Sequence, residues 1–470
     1  MTDQVSYKKR ITRMRKTVIA TVIGTLFSPT LHAAAFDRTG QSISSFLQPG
    51  NYFEATLTVS DTTLKGQEAG TTNTDRMIDD IANTDYRPAA AFKLQLAPQF
   101  SFGLIYDQPF ASDSEYSGNN SFTATPQDQV VLPGITTGSL AEATDGQIPE
   151  GQTLSQVNTQ NLSWIMGYQP NKNWNVYAGP VYQTFKSDIQ LRGATYSLYN
   201  GYNFQAEETG DWGWLAGFAY QIPEKAIRTS LTYRSAITHK INASEEAPLI
   251  DMLSTRSGRD YVGNYLQQLV ALGQIAPEQQ AAINSIVARL PSAGESGTTK
   301  FESPASLNLE FQTGLRPGTL LFSNVRWVNW DDFAFQPYRF GAISEIVGVL
   351  STPSRPEGFN LVRYFHDQWS ANLGIGQRFS SKWNGSASIG WDSGAGEYVS
   401  TGGPIKGYYN IGMGFQYSPT TSYFISGGMK YTWLGDAKGQ VGAQAGSQYY
   451  VSEFKDNYSI GYGLKIGYRF

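Results

Sequence analysis

The chain has 470 residues, of which 40% are hydrophobic, 13% aromatic and 16% charged, with 48 Gly, 21 Pro and no Cys. Its mean hydropathy of −0.33 excludes a bundle of membrane-spanning helices, and so many aromatics exclude a disordered chain. The formal net charge of −4 gives no basic surface for nucleic acid, and the missing Cys removes thiolate metal sites, thiol nucleophiles and disulfides.

The first element is a targeting segment. Lys8, Lys9, Arg10, Arg13, Arg15 and Lys16 precede an uncharged apolar stretch from Thr17 to Leu31, and Ala33-Ala34-Ala35 follows. That order is the pattern of a cleaved secretory signal over residues 1–35, and its apolar part is too short to span a bilayer as a helix. Its removal leaves 29 basic and 38 acidic residues, a formal charge near −9.

From Asn51 to the C-terminus, alternation at period two recurs. In the last segment Tyr458, Ile460, Tyr462, Leu464, Ile466, Tyr468 and Phe470 share one face, while Ser459, Gly461, Gly463, Lys465, Gly467 and Arg469 share the other. Aromatics sit near segment ends, as at Trp383 and Trp391, which suits interfacial girdles rather than a soluble sandwich. Short connections, such as Ala97-Pro98-Gln99 and Arg316-Pro317-Gly318, alternate with long ones near 61–84, 108–151, 187–210, 243–297, 337–366, 393–404 and 435–453. Six turns and seven loops predict an all-β fold, a closed antiparallel transmembrane β-barrel of about 14 strands. The barrel spans 51–470, and residues 36–50 remain as a short N-terminal plug.

Within the long loop 243–297, Tyr261, Tyr265, Leu266 and Leu269 fall at helical spacing before Gly273. A second helix follows Pro277, with Ile283 and Ile286 on its apolar face. The two faces, at Leu266, Leu269, Ile283 and Ile286, either pack only on each other and the rim or form a groove that captures a lipid tail. The lumen-facing side of the barrel carries Arg228, Arg234, Glu310, Arg326, Arg378, Lys430, Lys465 and Arg469. Arg234, Arg326 and Lys430 are the candidates to hold a buried carboxylate, the alternative being that such cations pair within the protein and hold the plug. Pro109 interrupts the third strand and Pro180 the fifth, because proline cannot donate to a ladder. His239 and Ser235 share a strand face, but four residues of strand separate them by about 13 Å, too far for a nucleophile and its base. No cofactor motif is present, and an enzyme is not expected.

Trp212 to Ile241 with Tyr233-Arg234-Ser235, Ile237 and His239, the stretch Phe301-Glu302-Ser303-Pro304-Ala305-Ser306-Leu307, Val325 to Phe333 with its aromatic residues, and Pro109-Phe110 together resemble segments of the FadL-type outer-membrane channels for long-chain fatty acids. The family's plug usually carries Asn-Pro-Ala before the first strand, which Phe46-Leu47-Gln48-Pro49-Gly50-Asn51 lacks. The resemblance implies a monomeric passive channel in the outer membrane, among lipid and lipopolysaccharide, inserted by assembly machinery that reads Phe470. It implies long-chain fatty acid or hydrocarbon as cargo, and a sideways exit through the kinked third strand at Gly103, Pro109 and Phe110. A receptor or adhesin barrel and a general porin are the competing readings.

Overall fold

The computed structural model describes residues 36–124, 128–132, 135–290, 294, 297–351 and 354–470. The expected signal segment, 1–35, lies outside the described residues. Among these residues, fourteen long strands form one antiparallel ladder that closes on itself. They are β1 (Tyr52–Thr63), β2 (Asp85–Ala97), β3 (Phe100–Asp107), β4 (Leu154–Tyr168), β5 (Trp174–Gln190), β6 (Asn203–Ile222) and β7 (Ile227–Arg234), followed by β8 (Ser306–Arg316), β9 (Thr319–Val328), β10 (Gln368–Arg378), β11 (Trp383–Asp392), β12 (Tyr408–Tyr417), β13 (Tyr423–Leu434) and β14 (Tyr458–Arg469). The seam is the β1–β14 ladder, running from Tyr52↔Arg469 to Thr63↔Tyr458.

Alternation puts the apolar face outside. On β14, Tyr462 is 49% exposed and Leu464 55%, whereas Ser459 and Gly461 are buried. The same inversion recurs at Trp212 and Trp214 on β6, Ile389 on β11 and Ile411 on β12. An apolar surface this extensive is stable against lipid rather than water. Closure leaves few backbone groups unpaired within that band.

The six short turns fall where the sequence places them. The long connections differ in detail, since β5 and β6 continue well above the girdle residues and leave only a short third loop between Gln190 and Asn203. The fourth connection is longer than expected, because β7 and β8 stop at Arg234 and Ser306 and continue as a separate ladder of Ile237–Asn242 with Thr298–Ser303. The first, sixth and seventh loops join in a small five-stranded sheet that includes Gly66–Glu68, Tyr398–Ser400 and Ser452–Phe454.

The loops also carry helices α1 (Thr137–Thr144), α2 (Pro248–Ser254), α3 (Arg256–Ala271), α4 (Pro277–Val287) and α5 (Tyr338–Leu350). The expected pair in loop 243–297 corresponds to α3 and α4, with Gly273 in the left-handed region after the first. Helix α5 is apolar on most of its faces, so no amphipathic stripe announces it.

Gly103 illustrates how a strand accommodates the interior. A Cβ there would lie 2.5 Å from Cδ2 of the Phe46 ring, which comes from the segment inside the barrel. Replacing Gly103 by Val should expel Phe46 at a cost of about 1–3 kcal/mol while the barrel still forms. Limited proteolysis near Phe46, together with the mobility of unheated protein on a gel, would test this; an N-terminal segment as protected as the parent's contradicts the packing described.

Candidate functional site

Residues 36–50 run through the lumen from the loop side to the start of β1. Ile43, Phe46 and Leu47 bury themselves against Ala91, Ile105, Ile165, Tyr177 and Leu215 of the wall. The segment has no ladder of its own, so its carbonyls need donors. The lumen cations supply them. Arg87 Nη1 donates to Arg38 O at 3.1 Å, Lys93 Nζ to Gln48 O at 2.5 Å, Arg228 Nη1 to Leu47 O at 3.4 Å and Arg234 Nη2 to Gln41 O at 3.4 Å. Asn308 Nδ2 adds a bond to Gly40 O at 2.5 Å.

Arg326 makes the densest set. Its guanidinium meets Asp37 Oδ2 at 2.7 Å, Gln41 Oε1 at 3.0 Å, Asn308 Oδ1 at 2.7 Å and Ser306 Oγ at 3.2 Å. Of the three lumen candidates, Arg326 and Arg234 therefore contact the N-terminal segment in this structure, and Lys430 stands apart on the opposite wall.

The wall is interrupted beside this segment. The β2–β3 ladder ends at Ala90↔Tyr106, and the chain passes through Gln108-Pro109-Phe110 before resuming at Ala111–Glu115, where it pairs with β4 and no longer with β2. Neither Pro109 nor Pro88, on the facing stretch of β2, has an N–H to bridge the gap. The N-terminal segment takes the missing neighbour's place: Asp37 bridges Phe110, Arg38 N donates to Pro109 O at 2.6 Å, and Arg38 Nε donates to Ala111 O at 2.6 Å. Gly103 lies below the break, in ladder with both Lys93 and Ile165. At Pro180 the disturbance is smaller, since its partner Trp214 on β6 is kept while the β4–β5 register skips Trp164 and Ile165.

Above the break lies an apolar cavity of about 130 Å³. Its floor is Phe36 of the N-terminal segment and Phe110 of the broken strand. Its sides include Phe185, Phe301, Trp330, Phe335 and, from α5, Phe340 and Val347. Trp330 is 1% exposed, with its ring 5.5 Å from Phe110 and 5.3 Å from Tyr364, and its Nε1 donates to Gln368 Oε1 at 2.8 Å. Helix α5 is pinned by Glu245, whose carboxylate accepts the N–H groups of Arg339 and Phe340 at 3.0 and 3.1 Å and the Tyr202 hydroxyl at 2.7 Å. A carboxylate on a helix N-terminus is favourable through both the free N–H groups and the dipole.

Leu266 and Leu269 of α3 and Ile283 of α4 belong to the same apolar cluster as Phe335 and Phe340, as an outer layer, and do not line the cavity. The side chain of Ile286 lies outside the described residues. Of the aromatics that do line it, Phe185 and Phe301 lie on strands and Phe340 on α5, with nothing local to show that they meet, and only the density of Trp and Phe between 327 and 335 could have marked Trp330, Phe333 and Phe335. Ser235 and His239 take separate partners. Ser235 Oγ accepts from Trp214 N at 3.0 Å, and His239 Nε2 meets Gln183 Oε1 at 2.9 Å.

A second cavity, of about 180 Å³, occupies the lumen between the N-terminal segment and the far wall. It reaches from Arg87, Pro88 and Asp107 at the edge of the break across to Lys430 and Lys465.

The barrel as a whole matches known folds. The chain superposes on a FadL homologue of Pseudomonas aeruginosa with a TM-score of 0.60, at 12% identity over 91% of this chain and 92% of that one. It also superposes on the toluene transporter TodX of Pseudomonas putida with a TM-score of 0.53, at 12% identity over 96% and 98%. This chain has the FadL-type fold. No family model matches the sequence, and no curated protein matches it. At 12% identity the FadL-type fold carries over, and the cargo must be argued from the residues themselves.

Replacing Arg326 by Met removes four bonds and leaves Asp37 buried without its cation, which costs about 3–5 kcal/mol. The expected result is a loosened N-terminal segment and higher ion conductance in planar bilayers, with the barrel still assembled. Conductance equal to the parent's would show that Arg326 does not hold the lumen shut.

Proposed function

We propose that the protein is a passive outer-membrane uptake channel for hydrophobic molecules. The observation that carries this reading is one junction, where the floor of the aromatic cavity, the top of the N-terminal segment and the break in β3 are formed by Phe36 and Phe110 together. A molecule dissolved in that cavity sits directly above both the occluded lumen and the interrupted wall. The FadL-type fold and the toluene transporter among its structural neighbours support the same reading.

Capture is an apolar transfer, favourable by about 25 cal/mol for each Å² removed from water. The cavity is close to the size, about 150 Å³, at which a dry apolar cavity takes up benzene. It therefore holds a monoaromatic ring, or the leading methylenes of a long-chain fatty acid whose remainder extends into the loops. Helices α3 and α4, through Leu266, Leu269 and Ile283, back the wall behind α5 and set how easily it moves. Exit runs sideways, past Pro109 and Phe110 into the lipid. Axial release of an eighteen-carbon chain into water would cost on the order of 10 kcal/mol, at roughly 0.8 kcal/mol per CH₂, with no energy input to supply it. Assembly into the outer membrane through a signal on the terminal strand rests on Phe470, which stacks on Phe92 and Tyr468 at the barrel's base.

Two measurements test capture and exit separately. Trp330→Ser with Phe301→Ser should weaken binding of a hydrophobic ligand at least tenfold with the barrel intact; unchanged affinity would move capture elsewhere. The absence of Cys makes the second clean: Pro88→Cys with Gln108→Cys, joined by a short thiol cross-linker across the gap, should stop uptake and leave binding intact. Uptake at the parent's rate with the cross-link verified by mass spectrometry would assign exit to the axial route.

A further inference from the structure

Hydroxyl groups are frequent around the aromatic cavity, and most of them are bonded within the protein. Thr159 Oγ1 donates to Phe110 O at 2.8 Å, Thr153 Oγ1 to Arg192 O at 3.1 Å and the Tyr199 hydroxyl to Phe340 O at 3.0 Å, while Tyr196 and Thr401 bond each other at 3.0 Å. Ser187 is not held in this way. It lines the cavity, it is 2% exposed, and its Oγ has no hydrogen-bond partner among the described residues.

The sheet around Ser187 explains this. On the lumen face of β5 it stands between Phe185 and Ile189, and across the two ladders it faces Val157 of β4 and Ala206 of β6. None of these four side chains carries a polar atom. The β5–β6 ladder bulges at the same point, where the pairing steps from Phe185↔Thr209 to Ser187↔Ala206, so that Lys186 alone stands opposite Glu207 and Glu208. An unbroken register would set Glu207 opposite Ser187, on the cavity side. The extra residue turns both glutamates outward, where they are exposed, and brings Ala206 to the inner face. Bulges beside functional sites re-aim side chains in this manner. Here the result is a wall with no carboxylate and one buried, unpaired hydroxyl.

No charged side chain lines the cavity among the described residues. A carboxylate drawn wholly into it would be desolvated without a cation, and a hydrocarbon would leave the Ser187 hydroxyl unbonded. An uncharged hydrophobe with one hydroxyl meets both conditions, since a serine hydroxyl donates one bond and accepts two. We propose that Ser187 selects neutral, hydroxyl-bearing cargo of the phenol class within the aromatic cavity. The proposal rests on the uptake reading above and narrows its cargo. A site that hydrogen-bonds a ligand's hydroxyl discriminates against the analogue lacking it more sharply than apolar packing alone can.

The test uses the full chain purified in detergent, with phenol and toluene as probes of nearly equal size titrated at one detergent concentration. The parent should bind both. Ser187→Ala, which removes one oxygen and hardly changes the cavity, should weaken phenol at least fivefold and leave toluene within twofold, with gel mobility of the unheated protein confirming an intact barrel. If Ser187→Ala binds phenol as the parent does, if it loses both probes equally, or if the parent takes toluene alone, hydroxyl selection is wrong while the uptake reading stands on toluene. If the parent binds neither probe, the uptake reading fails and this selection falls with it.

Discussion

The structure depends on donating hydrogen bonds to a strand-less segment enclosed in a barrel. Fifteen residues of irregular backbone, 36–50, lie where lipid and wall exclude most water, and every carbonyl there that lacks a donor carries a desolvation cost. Guanidinium and ammonium groups on the lumen face meet that need from β2 and β7, far apart both in sequence and around the wall, while Arg326 on β9 holds the side chains of Asp37 and Gln41. The positive charge of the lumen is therefore mostly structural.

From this follow the two departures from a regular barrel. Where the N-terminal segment reaches the third strand it serves as the missing ladder partner, so the ladder breaks at Pro109 without stranding all its backbone groups. The same segment fills the lumen, so occlusion and wall break are coupled through the course of a single stretch of chain.

The barrel was legible in the sequence because a strand's period is exposed in its residues: Tyr462, Leu464 and Ile466 face lipid while Gly461 and Gly463 do not, and no tertiary knowledge is needed to see it. The break at Pro109 was equally legible, since it follows from a missing N–H. The cavity was not. Phe36, Phe110, Trp330 and Phe340 come from four separated stretches, and their meeting is set by how loops fold over the rim. Arg234 and Arg326 were visible as lumen cations, but sequence spacing cannot distinguish a cation aimed at a ligand from one aimed at Gln41. Gly103 was expected at the sideways exit through the kinked third strand; in the structure it makes room for Phe46.

The β1–β14 seam joins residues more than 400 positions apart, 411 in the Lys465–Glu54 pair, and the N-terminal segment leads directly into that first strand. Closing a loop of that length carries a large entropy cost and makes unassisted folding slow. The segment's contacts with β2, β7 and β9 offer a way round it, because they gather distant strands about a common axis before the seam exists. A chain lacking residues 36–50 loses those cross-lumen contacts and should assemble more slowly even though every strand of its barrel is present.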